Sequence, residues 1–312
     1  MIRRVFGLLL FSSAMFVAPW MQTMSAEDIG DPLAGSSAEP CEMDIRSPGA
    51  VQFRGPYSRG YAARDNVRHR ERVTLELRHD GGACEYRVSI ETTDRGQPRM
   101  ASGSDTLNFA LIDGRDRRLS NGEPAIFTGY FSEGYGQTTL DFYIEVEPGQ
   151  RVDAGDYLGE LIVSIEDASE GMNELVGQTS LNVEATVPAF VNASIGDNPL
   201  AGKTNSKIDF GQFKRWQKEA LRFSIDANTG YSISMESLND GAMKHHVSDA
   251  EIAYQIRLDG RRISRDALTN ADSVLNGFGF NIHDFEVEIT SNINRAVAGY
   301  YSDQVTIVIS AD

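Results

Sequence analysis

The chain has 312 residues, with 29 Lys and Arg against 45 Asp and Glu and a formal net charge of -16. A chain this acidic repels nucleic acid and anionic lipid, which argues against both as partners. Acidity of this kind also keeps an exported protein soluble.

From the N-terminus, Arg3 and Arg4 precede an apolar stretch from Val5 to Val17, and polar sequence begins around Gln22. That pattern reads as a secretory signal peptide over residues 1–26, cleaved after Ala26. The apolar stretch is shorter than the roughly 20 residues a bilayer span needs, and no later stretch approaches that length. Export without Arg3 and Arg4 leaves 27 basic against 45 acidic residues. The two cysteines, Cys41 and Cys84, both survive export, and in an oxidising compartment they are expected to form a disulfide. The loop so closed is worth about 4 kcal/mol in the chain-entropy account. The alternative, a metal site on two thiolates, lacks partner ligands nearby in sequence.

Beyond Cys41 the dominant periodicity is two, the mark of strands with one buried face. Val73, Leu75 and Leu77 alternate, as do Leu161, Val163 and Ile165. The piece "ASEGMNELVGQ" reads as a loop, and "TSLNVEATVPAF" then alternates Leu181, Val183, Ala185 and Val187 before Pro188. Past that point the pattern starts again, with Leu221, Phe223 and Ile225 and finally Val305, Ile307 and Ile309. Only "FKRWQKEALRF" from Phe213 has room for a turn or two of helix, and its end reads better as strand.

The restart is a repeat. "YRVSIE" at Tyr86 answers "YSISME" at Tyr231, "DG" at Asp113 answers "DG" at Asp259, and "DFYIEV" at Asp141 answers "DFEVEI" at Asp284, at offsets of 145, 146 and 143 residues. "RVDAGDYLGELIVSIED" from Arg151 likewise answers "RAVAGYYSDQVTIVISAD" from Arg295. Steady offsets mean a duplicated domain. The expected fold class is all-β: two immunoglobulin-like sandwiches of about six strands each, over residues 27–178 and 179–312. Residues 180–187 are a strand without a place in the second copy's count and can complete the first. The second copy then lacks its last strand.

Two stretches of the first copy look suited to binding. "IFTGYFSEGYG" from Ile126 sets Phe127, Tyr130, Phe131 and Tyr135 among glycines, where aromatics offer rigid apolar area at modest entropic cost. The second copy has "GFGF" at Gly277 in the matching region, so some of these rings can equally be core. Between Phe53 and Val73 lie 19 residues rich in Arg and Tyr, against 10 between Phe210 and Leu221, and Tyr57, Arg59 and Tyr61 are the secondary candidates there. If the strands alternate direction, the aromatic loop shares an end with Cys41 and the arginine-rich loop faces the second copy, which favours the aromatic loop.

Signals for catalysis are weak. "GDNPLAGKT" at Gly196 imitates a phosphate-binding loop, but five residues separate its glycines where four are needed. His245 and His246 are adjacent and would point to opposite faces of a strand, while His69, His79 and His283 are scattered. No nucleophile elbow or zinc-binding helix motif is present. Neither an enzyme nor a metal or other cofactor is expected.

"AGYYSDQVTIVISAD" at the C-terminus, "IDFGQF" at Ile208, "TGYSISMES" at Thr229 and "TVPAFVNASI" at Thr186 resemble the spore coat protein U domain, the subunit domain of archaic chaperone-usher pili. "GYGQTTLDFYIEVEPGQRVDAGDY" from Gly134 extends the resemblance more loosely to the first copy. The second copy departs from the first in having Phe190 or Val191 and Thr229 near the positions of Cys41 and Cys84. The resemblance implies assembly by donor-strand complementation: a periplasmic chaperone, and later the N-terminal strand of an adjacent pilin subunit delivered at an outer-membrane usher, would fill the open edge beside Val305, Ile307 and Ile309. The stretch before Cys41 offers only isolated Ile29 and Leu33, a poor donor strand. Together these imply a non-enzymatic tip adhesin with a surface or glycan receptor, exported to the periplasm and then displayed at the cell surface. The runners-up are a two-domain coat subunit without a receptor and a secreted carbohydrate-binding module.

Overall fold

In the computed structural model the described residues are 40–312, less 65–66, 94–95, 120–121 and 170–172 and the side chain of Tyr57. The signal peptide expected at 1–26 and the stretch with Ile29 and Leu33 lie outside them.

Alternation in the first copy becomes strand: β1 (Cys41–Arg46), β2 (Ala50–Phe53), β3 (His69–Gly81), β4 (Cys84–Thr92), β5 (Arg99–Ser102), β6 (Asp105–Ile112), β7 (Ala125–Phe131), β8 (Gly136–Val146), β9 (Gly155–Asp167) and β10 (Glu174–Val187). One layer runs β1-β3-β8-β6, antiparallel throughout. The facing layer runs β2-β10-β9-β4-β7, with β2 parallel to β10, and β5 links β6 to β9. Leu75, Leu77, Phe142 and Ile144 from one layer meet Val88, Ile90, Leu161, Val163 and Ile165 from the other in a single core. Each such side chain, fully buried, stabilises the fold by about 1.5–3 kcal/mol.

The second copy contains β11 (Val191–Ile195), β12 (Lys218–Ser237), β13 (Ala242–His245), β14 (Glu251–Leu258), β15 (Arg261–Arg262), α1 (Arg265–Asn270), β16 (Ser273–Ile289), β17 (Tyr301–Ser302) and β18 (Val305–Ala311). Its long β12 does in one strand what β3 and β4 do in two. Up to Ala227 it pairs with β11, and after a register shift between Asp226 and Gly230 it pairs with β18 along Tyr231–Ser237. β16 follows β12 through both halves, as β8 and β7 follow β3 and β4. The first copy is interrupted where glycines take left-handed backbone, at Gly81 (φ 98°) and Gly134 (φ 94°). The architecture is therefore two β-sandwiches, as the repeat predicts.

Three local expectations are corrected. The possible helix from Phe213 is a turn that enters β12 at Lys218. The one α-helix among the described residues is α1, capped by the Ser264 hydroxyl accepting from Ala267 N at 3.1 Å; six residues are too few to leave a helical period in the sequence. The supposed loop at 168–178 is strand from Glu174, so β10 runs unbroken through the expected boundary at 178. Along its length β10 pairs with β9 and buries Leu181, Val183, Ala185 and Val187 in the first core.

Pro40–Asp312 form one compact unit, and a polar junction ties the sandwiches at the end of β10. Asn228 accepts from Phe190 N at 2.8 Å through its side-chain oxygen, donates to Pro188 O at 3.0 Å, and accepts from Ala154 N at 2.8 Å through its backbone carbonyl. Arg64 pairs with Asp226 and lies over the Phe190 ring, 4.5 Å from its centroid.

Candidate functional site

Apolar side chains are left bare or half-covered in three organised places: the Phe278, Phe280 and Ile282 row of β16, one edge of the second sandwich and the far end of the first. The edge of the second sandwich and the corresponding edge of the first are built from equivalent elements in different states of completion.

β9 and β18 carry the same alternating string, Leu161, Val163 and Ile165 answering Val305, Ile307 and Ile309. The string meets the same partners, with Val163 opposite Ile90 and Ile307 opposite Met235, Ile165 opposite Val88 and Ile309 opposite Ile233. In the first sandwich β10 pairs with the other edge of β9, and all three side chains are 0% exposed. In the second, no strand among the described residues pairs with the other edge of β18, and Val305, Ile307 and Ile309 are only partly buried. Val191 and Ala193 on β11 are partly buried as well. β11 and β18 correspond to β1 and β9, and both β1 and β9 lie against β10. The second sandwich thus has an apolar row and a backbone edge where the first has a strand.

The start of β18 is nevertheless fixed. Asp303 accepts from Ser237 Oγ at 2.6 Å and from Asn239 N at 3.1 Å, and Tyr254 donates its hydroxyl to the same carboxylate. Burial, followed by the Asp303 contact, holds the Tyr254 phenol well above its ordinary pKa. β18 is clamped by polar contacts at its beginning while its apolar row stays only partly covered.

The stretch expected as an aromatic loop is mostly strand. β7 runs through Phe131 and is an edge strand paired only to β4 among the described strands. Its alternation sends Phe131 inward, 6% exposed, stacked on His79 at 4.9 Å and tilted against Tyr86 at 5.1 Å. Phe127 packs against the same core, while Tyr130 and Tyr135 are 63% and 70% exposed. The four aromatics therefore divide into two core rings and two surface rings. Gly134 N donates to Gly81 O at 2.8 Å and Gly82 N donates to Pro40 O at 3.3 Å, so Ser132–Tyr135 shares an end with β1. β10 ends at the opposite pole, Val187 facing Gly155 while Glu174 faces Asp167. The surface tyrosines stand at the pole far from the junction.

Sequence reasoning missed the neighbours of that pole. Leu175 (57% exposed) and Val176 begin β10 beside Glu166 and Asp167, which pair with Arg87 and Tyr86 on β4. Ile126 shares the outward face of β7 with Tyr130. The signal was present as an apolar pair in "NELVGQ", hidden by reading that stretch as loop.

Of the secondary candidates, Arg59 is exposed and Tyr57 belongs to the short turn Pro56–Ser58. Tyr61 is a core residue, 4% exposed: its hydroxyl donates to Glu147 O at 3.0 Å and accepts from Gln150 N at 2.7 Å. The segment lies at the junction, Tyr61 N donating to Thr186 O at 2.8 Å. Cys41 and Cys84 are joined in a disulfide between β1 and β4, with Cα atoms 6.1 Å apart.

No protein-family model matches the chain, so the resemblance to the spore coat protein U domain rests on the strings quoted above, and no curated protein matches it either. Among solved structures the chain is similar to the CsuC–CsuE chaperone and tip-subunit pre-assembly complex of archaic chaperone-usher Csu pili of Acinetobacter baumannii, at 15% identity and a TM-score of 0.42 over 86% of this chain and 99% of that one. It is also similar to the CupB6 tip adhesin of Pseudomonas aeruginosa, at 12% identity and a TM-score of 0.41 over 86% and 93% of the two chains. A third likeness is to the CFA/I adhesin CfaE of enterotoxigenic E. coli, at 12% and 0.41 over 86% and 81%.

Proposed function

We propose that this chain is the non-enzymatic tip adhesin of a chaperone-usher pilus, with a receptor-binding first sandwich and a pilin-like second sandwich that accepts a donor strand. The observation that supports it is the contrast between the two copies of one apolar string, sealed by β10 in β9 and partly bare in β18. Unpaired backbone and apolar side chains on one edge invite a strand from another chain. A periplasmic chaperone fills that position first, and the N-terminal strand of the adjacent subunit replaces it at the usher. The first sandwich is closed by its own β10, so among the described residues the edge of β18 is the place left for a donor strand. The division between the domains falls after Val187 in this reading. Export through the inner membrane and display at the cell surface follow from the role. The exposed ring pair Tyr130 and Tyr135 is the receptor-facing surface, for an apolar or glycan target.

The test is hydrogen exchange on the chain alone and bound to its chaperone. Backbone amides of Val305–Ala311 are expected to exchange fast in the free chain and to become protected in the complex, while those of β9 stay protected in both. A monomer that unfolds cooperatively without a partner, with β18 as protected as β9, overturns the reading.

A further inference from the structure

The β3–β4 turn brings a third metal-ligand side chain to the two cysteines. His79 precedes the turn, Cys84 follows it, and Cys41 starts the strand that pairs with the end of β3. One ligand atom from each of Cys41, His79 and Cys84 lies within 4.8 Å of the others, and among the described residues no other group of three His, Cys, Asp or Glu comes together this closely. Two donors on one ion at about 2.3 Å are at most about 4.6 Å apart, so small movements suffice once the sulfurs are no longer bonded to each other.

The histidine is prepared in a way that the disulfide does not explain. His79 is 1% exposed, and its Nε2 donates to Gly82 O at 2.7 Å. That bond places the proton on Nε2 and leaves the lone pair on Nδ1, which has no hydrogen-bond partner. Buried polar atoms are nearly always satisfied, and an orphan calls for a reason. A backbone carbonyl that fixes one imidazole nitrogen while the other is free is the usual outer support of a metal-bound histidine. The Phe131 ring, stacked on His79 at 4.9 Å, holds the imidazole plane. Met43 stands opposite His79 on the neighbouring strand and adds a soft thioether to the same face.

We infer that, when the disulfide is reduced, Cys41, Cys84 and His79 form a site for one Cu+ ion. Two thiolates and one imidazole are a soft, three-donor set, which selects Cu+, whereas Zn2+ in a structural site asks for four. Partly exposed Cys41 is the way in. The chemistry balances with a phosphine as reductant: two electrons from phosphorus break the S–S bond, water gives its oxygen to phosphorus, and its two protons leave the sulfurs as thiols. Cu+ then displaces both thiol protons to solvent. Metal and disulfide exclude each other, so the ion binds only before the disulfide forms or after it is opened.

The full chain is reduced with a water-soluble phosphine, freed of it without oxygen, and titrated with Cu+ against a coloured Cu+ chelator, with Zn2+ titrated separately. One Cu+ per reduced chain and none per oxidised chain is the expected result, with at least tenfold weaker binding in His79→Phe, whose ring can keep the stack on Phe131. X-ray absorption of the loaded unsubstituted chain supplies a readout that does not depend on the variant folding, with two sulfurs and one nitrogen expected on copper. Binding to the oxidised chain, preference for Zn2+, a copper shell without nitrogen, or unchanged affinity in a folded His79→Phe chain each overturns the inference.

Discussion

Glycine under tyrosine is the detail the two copies share most closely. Tyr86 faces Gly129 across β4 and β7, and Tyr231 faces Gly277 across the second half of β12 and β16. A Cβ on either glycine would stand 2.3 Å from an atom of the tyrosine ring or its hydroxyl, so the ring lies flat over a residue that must have no side chain. Gly129→Val and Gly277→Val are each expected to cost about 1–3 kcal/mol through overpacking, read as a lowered urea midpoint; an unchanged midpoint in both would refute the argument. Tyr157 makes a second case. Burial, then the nearby Asp105 and Asp153, push its phenol up to about 12, against about 10 in the unfolded chain. The native state keeps a proton that the unfolded state gives up, so this contribution is complete below about pH 10 and is lost as pH rises towards 12. Unfolding midpoints followed across that interval should fall in the unsubstituted chain and fall less in Tyr157→Phe.

At the level of strands, the two copies are a controlled comparison made by the molecule itself. Val163 on β9 and Ile307 on β18 occupy the same place in the repeat and differ in whether a further strand seals them. Val163→Asp buries a charge with no partner and is expected to destabilise the first sandwich by several kcal/mol. Ile307→Asp leaves the charge at a partly covered edge, so it should lower the melting point of the free chain far less and, on the proposed function, abolish capture by a chaperone. Equal melting losses in the two variants would mean that the edge of β18 is covered in the free chain. Most of this was legible in the sequence, because alternation at Leu161–Ile165, Leu181–Val187 and Val305–Ile309 is strong and the offsets are steady. What escaped has physical causes. The glycines around Phe127 and Phe131 suggest a loop, yet Gly129 is there to admit Tyr86, and the strand continues through it. Type and neighbours suggest a binding role for Tyr61, but only the fold reveals the Glu147 and Gln150 backbone groups that hold its hydroxyl. The disulfide was legible from cysteine count and export; the His79 beside it was not, since its place depends on the β1–β3 register.

Across the whole molecule the surface tyrosines and the open edge occupy separate ends of the chain's path, with the Asn228 and Arg64 contacts between the sandwiches. Attachment and assembly should therefore come apart under mutation. Tyr130 and Tyr135 are largely exposed, and the Tyr135 hydroxyl donates to Gln137 Oε1 at 3.1 Å. Removing both rings takes away little folding energy, whereas each ring buried on a target would contribute about 1.5–3 kcal/mol, and in the proposed role many copies acting together would multiply a modest affinity. The double change Tyr130→Ser with Tyr135→Ser is expected to abolish adhesion of assembled fibres to an apolar or glycan-coated surface while fibre yield and melting point stay unchanged. Phe131→Ser, one residue away on the same strand, is expected instead to cost about 3–5 kcal/mol by emptying the core beside His79 and Tyr86, and to lose fibres through misfolding. If fibres of the double variant adhere as before while Leu175→Ser with Val176→Ser fibres do not, the receptor surface lies on the start of β10 and the tyrosines are bystanders. If neither pair matters, the distal pole is not the adhesive end.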